Sequence, residues 1–398
     1  MKTVSWSITL KDQITSHFPQ QRVVVSLYNL VTVFLPVLLG YYAMAVLVQL
    51  PRTKRYRLAL LPVVVWSTVT AGMTLDFSFG HLESAHNNQS LAIAMFAVTM
   101  RVITWALVNE PYVRFCVADN QNSKVNEPQS EPLSSHLDDI RRVMWNACDL
   151  CSNVRGLGWN WSKEMHVPHP MFKIESRRTF AVLSLIRFIL YTTALRAVAL
   201  IMAAITPDGS NGQTIFDPSL PPLLRYLHSS IITVVTSLSA WILVKLSYNF
   251  AAFVFILLFQ QQPSQWPPVF DHPWFATSLS GFWGRNWHQF FREWFMALAS
   301  RPLKPFLGPY SPIGAFILSG ILHEVAVRGL DRGGDIFVFG YFVMQGIGVV
   351  LERFYKQVTG RLVGGIVGFL WTWIWLIVWG NFLVDAWVRN TSQARVHP

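Results

Sequence analysis

Eight apolar stretches dominate this 398-residue sequence, near 23–49, 58–75, 91–108, 180–205, 229–259, 312–328, 335–352 and 362–388. Each holds about 17 or more mostly apolar residues, the helical length that crosses the roughly 30 Å hydrocarbon core of a bilayer. Lipid offers a backbone amide no partner, so such a run must satisfy itself as a helix. The sequence therefore predicts an all-α, polytopic integral membrane protein of about eight transmembrane helices, one membrane-embedded unit over 1–398. The runs at 58–75 and 312–328 are short enough to tilt or re-enter; 229–259 is long enough to be strongly tilted or broken. Composition agrees. Hydrophobic residues make up 52% and charged ones only 13%, about half the roughly 25% of a globular chain. So few charges cannot cover a soluble enzyme, and a disordered chain would be richer in them.

The net charge of +11 would raise nucleic-acid binding in a soluble protein. Here Lys and Arg sort by side instead. Twenty fall in the 50–57, 109–179, 260–311 and 353–361 connections, and eight on the opposite side, termini included. Positive loops stay cytosolic, so 109–179 is expected as a cytosolic loop, both termini as lumenal, and the endoplasmic reticulum as the membrane. No nucleic-acid partner is expected. The first apolar run is too long for a cleavable signal and reads as an anchor. Asn390-Thr391-Ser392 is then a lumenal glycosylation sequon, while Asn160-Trp161-Ser162 should stay bare. The polar 119–135 stretch predicts a flexible cytosolic segment, and the Pro- and Trp-rich 260–280 stretch a stiff loop on the membrane interface. Cys148 and Cys151 form a CxxC with no second pair or His cluster, so no metal site is expected.

Two segments carry residues that suit chemistry. In Phe282–Arg292, a helix would place Trp283, Trp287, Phe290 and Phe291 on an aromatic face and Arg285, His288, Gln289 and Arg292 on a polar stripe. That describes an interfacial amphipathic helix, facing phospholipid heads or a ligand. In Phe316–Glu324, His323 stands inside an apolar helix, where an imidazole needs a partner or a wet cavity. Ser319 and Gly320, one turn earlier, leave a hollow beside it or allow close helix packing. Arg101, Arg187, Arg196 and Lys245 are further intramembrane charges without an assigned role. Arg155-Gly156-Leu157-Gly158 follows no strand, so a tight turn is expected there, not a dinucleotide site.

FWGRNWHQFFR, with its His followed 35 positions later by the His of FILSGILHE, resembles the membrane-bound O-acyltransferases. The nearer likeness is to their wax-synthase-domain branch, as in fungal acetyltransferases of terpenoid and meroterpenoid biosynthesis. Gln265–Gln289 and Asn153–Trp161 add to it, and the sharp match covers about 260–330, the expected motif core. The resemblance implies acyl transfer from acyl-CoA, with acetyl-CoA as co-substrate, to a hydroxyl of a terpenoid-like alcohol. It implies His323 and His288 as catalytic residues and Arg285, Asn286 and Arg292 at the CoA. Trp287, Ser319, Gly320 and Phe316 would line the substrate pocket. Long-chain wax-ester synthesis on fatty alcohols is the alternative within enzymes. A transporter lined by the buried cations is the alternative outside them, weakened by the lack of an internal repeat.

Overall fold

A computed structural model describes residues 22–79, 85–115, 136–162, 165–170, 172, 174–206, 214–331 and 334–396. The 119–135 stretch lies outside them. The described residues are mostly helical, with one short parallel pair, Val23–Val24 against Leu75–Asp76, and eight helices are long and apolar enough to cross a membrane. They are α1 (Leu27–Leu47), α2 (Lys54–Thr74), α3 (Ala85–Leu107), α5 (Arg177–Ile205), α6 (Pro222–Leu258), α7 (Ile313–Asp331), α8 (Ile336–Thr359) and α9 (Gly365–Val396). All eight coincide with the expected runs. A further long helix, α4 (His136–Ser152), is not among the helices able to span.

Local signals set the ends. Ser176 caps α5 by accepting from the Thr179 amide, and Pro222 at the first turn of α6 needs no amide partner. Asp335 caps α8, which stops at Gly360 with φ +71°. The long run expected to be tilted or broken is an unbroken helix of 37 residues, about 55 Å.

Helix α7 is the centre of the bundle, packed between α3 and α8 with α9 behind. Helices α5 and α6 form a hairpin that meets the rest mainly through α6 and α9. Exposed Val182, Ile186, Ile189, Leu190 and Leu200 on α5 are the surface expected where lipid is the solvent.

The amphipathic helix turns out to be α4, inside the stretch expected to be loop. It buries Ala147 and Leu150 beside Tyr41, Met44 and Ala45 of α1. Arg101 is the reason it stays there. Its guanidinium donates to the carbonyls of Leu150, Cys151 (3.2 Å) and Asn153 (3.1 Å) and lies over the Trp105 and Trp294 rings. Those are the carbonyls a helix C-terminus leaves unpaired. Arg57 treats the end of α3 alike, through the Trp105 and Val108 carbonyls. These arginines are structural.

The expected turn after α4 is present. Gly156 and Gly158 have φ +66° and +82°. A Cβ on Gly156 would lie 2.3 Å from the Trp161 ring. The turn aims Arg155 at the Pro267 and Pro268 carbonyls (2.8 and 2.9 Å) and the Tyr248 hydroxyl (2.7 Å), tying it to the 260–280 loop. Asn160 is engaged by Pro111 and Val113. The Asn390 sequon continues the helix of α9, and its side chains lie outside the described residues.

Candidate active site

The 260–280 loop does not simply lie on the surface. Val269, Phe270, Pro273, Ala276 and Leu279 are buried, while Phe275 stays exposed. Its end is anchored by Glu352 of α8. The carboxylate accepts from the Leu279 and Ser280 amides at 2.6 and 2.8 Å and from the Trp371 indole at 3.1 Å. Those amides open the helical turn Leu279–Gly281, where an anion meets unpaired N–H groups.

The segment 282–292 is not one amphipathic helix, and the expected polar stripe does not form. A π turn covers Phe282–Asn286, the backbone is extended at Trp287, and helix resumes only at Arg292. The buried Gln289 amide explains the break. Its Nε2 donates to the carbonyls of Trp283 (3.1 Å) and Trp287 (2.6 Å), replacing helical partners. The break separates the intended neighbours. Arg285 is exposed, Arg292 starts the next turn, and Asn286 is clipped to Asp271 through side chain and backbone. The Asp271 carboxylate in turn accepts from His166 (2.8 Å) and His272 (3.1 Å), which hold it below the usual carboxylate range.

The two histidines, by contrast, come together. Burial pushes His288 down to about 3, and the nearness of His323 on α7 adds to it. His288 sits among the rings of Phe290 (5.2 Å), Trp287 (5.7 Å) and Phe270 (6.1 Å), and its Nδ1 is buried without a partner. His323 has the complementary arrangement. Its Nδ1 lies 2.8 Å from the Ser319 carbonyl, which can only accept, so Nδ1 carries the proton and Nε2 the lone pair. Its ring stacks on Phe342 of α8 at 3.9 Å and 22°.

Gly320 does not leave the hollow expected of it. A Cβ on Gly320 would lie 2.9 Å from the Phe339 ring and 3.0 Å from its carbonyl, so this glycine serves the α7–α8 crossing. Ser319 contributes its carbonyl. Phe316 meets Trp283 edge to face at 6.0 Å, and Trp287 stacks on Phe282 at 5.4 Å. The wall that sequence reasoning missed is on α8. Val338, Phe342, Gln345, Val349 and Glu352 are buried at helical spacing. A Gln and a Glu within that apolar stripe were the available signal. Gln345 is fully buried; its Oε1 accepts from the Trp283 indole (3.3 Å) and its Nε2 has no partner.

Neutral His288 has a stability consequence. An unfolded histidine titrates near 6.5, so the unfolded chain binds its proton first as pH falls. The stabilisation is complete above about 6.5 and declines toward 3, by at most about 1.4 kcal/mol per pH unit. The thermal midpoint of the solubilised protein should drop from pH 7 to 5, and drop less in His288→Asn. Equal slopes would mean that the imidazole is solvated.

Residues 266–344, which hold both histidines, match the membrane bound O-acyl transferase family. The eight spans, this match and the relatives define an acyltransferase embedded in a membrane. The chain is 25% identical to acetyltransferase sirH of Emericella nidulans over 72% of its length and 69% of that protein. It is 24% identical to acetyltransferase spyB of Aspergillus fumigatus over 83% of its length and 60% of that protein. It is 25% identical to O-Mevalon transferase yanI of Aspergillus niger, over 57% and 56%.

Proposed function

We propose that this protein transfers acetyl from acetyl-CoA to a hydroxyl of an apolar, terpenoid-like secondary metabolite. The single observation that carries the chemistry is the His323 tautomer. With Nδ1–H held by the Ser319 carbonyl, Nε2 is a free base beside a second, neutral imidazole. Nε2 takes the hydroxyl proton as the alcohol oxygen attacks the thioester carbon. The C–S bond then breaks, and the imidazolium returns the proton to the departing thiolate. His288 can donate to the carbonyl oxygen as its charge develops. No acyl-enzyme is required. Phe342, Trp283 and Phe316 exclude water that would hydrolyse the thioester. Residues 1–398 act as one unit, with 260–330 as its chemical core. Exposed Arg285 and half-buried Arg292 remain available to CoA phosphates. The relatives named acetyltransferases support the donor. One named for a mevalon group favours a larger acyl group as the second reading.

Competition between acetyl-CoA and palmitoyl-CoA at equal concentration tests the donor. Each further buried CH₂ adds about 0.8 kcal/mol of binding, so a fitted long-chain tunnel would make palmitoyl ester dominate. Acetyl ester is the expected product; a palmitoyl majority would assign the protein to wax-ester synthesis with the same His323 chemistry.

In this proposal the Lys and Arg sorting favours the cytosol for 109–179 and 260–311 and the lumen, that of the endoplasmic reticulum, for the end after Trp387. Native Cys148 on α4 is free and exposed. It should react with an impermeant maleimide added to intact microsomes, with Cys116 and Cys151 changed to Ser. Labelling only after permeabilisation would invert the topology.

A further inference from the structure

Helices α6 and α9 cross where Thr233 meets Asn381 (2.9 Å) and where a Cβ on Gly380 would lie 2.8 Å from the Thr233 side chain. Trp241 stands eight residues after Thr233 and Trp373 eight before Asn381. Both are therefore about 12 Å from the crossing, toward the 260–280 loop. There a third ring bridges the helices. Trp274 stacks on Trp373 at 6.1 Å and meets Trp241 edge to face at 5.9 Å. It is a wedge supplied by the loop, on the turn Pro273–Phe275. His272, just before that turn, has φ +46°, a conformation that costs a residue with a side chain and gathers at ligand sites. Trp274 is 37% exposed, and Phe275 beside it and Phe369 beside Trp373 are exposed as well. Such a surface is the one expected toward lipid.

Two lines of rings lead inward from the wedge and converge on His288. One runs from Trp241 to Phe270 (6.0 Å) and on to the His288 ring (6.1 Å). The other runs from Trp373 to Phe282 (6.3 Å), to Trp287 (5.4 Å) and to His288 (5.7 Å). Phe270 and Trp287 join the two lines at 4.9 Å, beside the histidine. The six rings thus close a circuit with lipid at one end and the reacting centre at the other. Trp241, Trp287 and Trp373 keep part of their surface free. Each line also carries one orphan donor: the indole N–H of Trp241 and that of Trp373 are buried without partners. An indole N–H can only donate, so both need an oxygen that the chain does not supply.

We infer that this circuit is the acceptor site, and that it takes a flat, apolar ring alcohol from the bilayer past Trp274. The hydroxyl lies at His288 and His323, and the Trp241 and Trp373 indoles donate to a second oxygen at the far end of the skeleton. Aromatic walls with a few placed donors are how apolar ligands are held and oriented. The word acceptor rests on the acyl-transfer proposal.

Equilibrium binding to the purified full chain tests the site. The probes are androsterone, a flat ring alcohol with a ketone at its far end; 5α-androstan-3α-ol, which lacks the ketone; and 1-dodecanol. CoA binding checks that each variant is folded. A hydrogen bond carries about fivefold in affinity. The wild type should favour androsterone over the androstanol by about that factor, and both over 1-dodecanol. Trp241→Phe combined with Trp373→Phe keeps the rings and removes the donors. It should abolish the androsterone preference and leave androstanol and CoA binding as in the wild type. Trp274→Ala should weaken both ring alcohols about tenfold and leave CoA unchanged. A preference that survives the loss of both indoles would overturn the inference. So would ring-alcohol binding unchanged by Trp274→Ala, or a wild type that binds 1-dodecanol best or none of the three. If Trp274→Ala lost CoA as well, its fold would have failed and the phenylalanine pair would decide. Binding is read without turnover, so a wild type that binds ring alcohols but forms no ester would sink the acyl-transfer proposal and leave this site standing.

Discussion

His323→Ala is expected to lower acyl transfer by about 10²–10⁴-fold, the range a positioned general base supplies, with membrane abundance near normal. The expectation follows from where the proton sits. Nδ1 is committed to the Ser319 carbonyl at 2.8 Å, so Nε2 is the atom left to act. No second group replaces it: His288 reaches the site from another segment, and its buried Nδ1 has no partner that would fix the ring for proton transfer. The loss should appear in kcat, since the base contributes to the transition state more than to ground-state binding. The fold should survive, because the helix ladder is unaffected and the vacated space is bounded by the large Phe342 ring. Activity above about a tenth of wild type would remove His323 from the mechanism, being far less loss than a general base causes.

Glu352→Ala should be as damaging by another route. The carboxylate satisfies three donors at once, two backbone amides and an indole N–H, at the turn that launches the Phe282–Asn286 segment. Leaving a buried donor unpaired costs about 1–3 kcal/mol, so the total is comparable with the whole stability of many domains. The expected outcome is a marked fall in the thermal midpoint together with loss of turnover. Glu352→Gln keeps the acceptor oxygen and should recover part of both. If Glu352→Ala kept the wild-type midpoint, the carboxylate would not be the anchor of the motif.

The number of spans and the presence of a histidine inside one of them are legible in the chain itself. Span length is a local property: a bilayer imposes one thickness on every run, and apolar composition over about 20 residues answers it wherever the run sits. His323 was legible for the same reason, as a polar group on a segment whose solvent is hydrocarbon. Tertiary structure decided what stands next to what. Aromatic periodicity at 282–292 favoured one continuous helix, but the Gln289 amide captures two carbonyls and ends it, so the polar stripe never forms. Gly320 offers a space that Phe339 fills, because a glycine states only that something approaches, not which group. Arg101 could have snorkelled or lined a path; the unpaired carbonyls of α4 determine that it caps a helix. Glu352 escapes a local reading, since its two amide partners lie 73 and 72 positions away in sequence and the Trp371 indole 19. A residue's chemistry is carried by its side chain, but its role depends on which unsatisfied group the fold brings within about 3 Å of it.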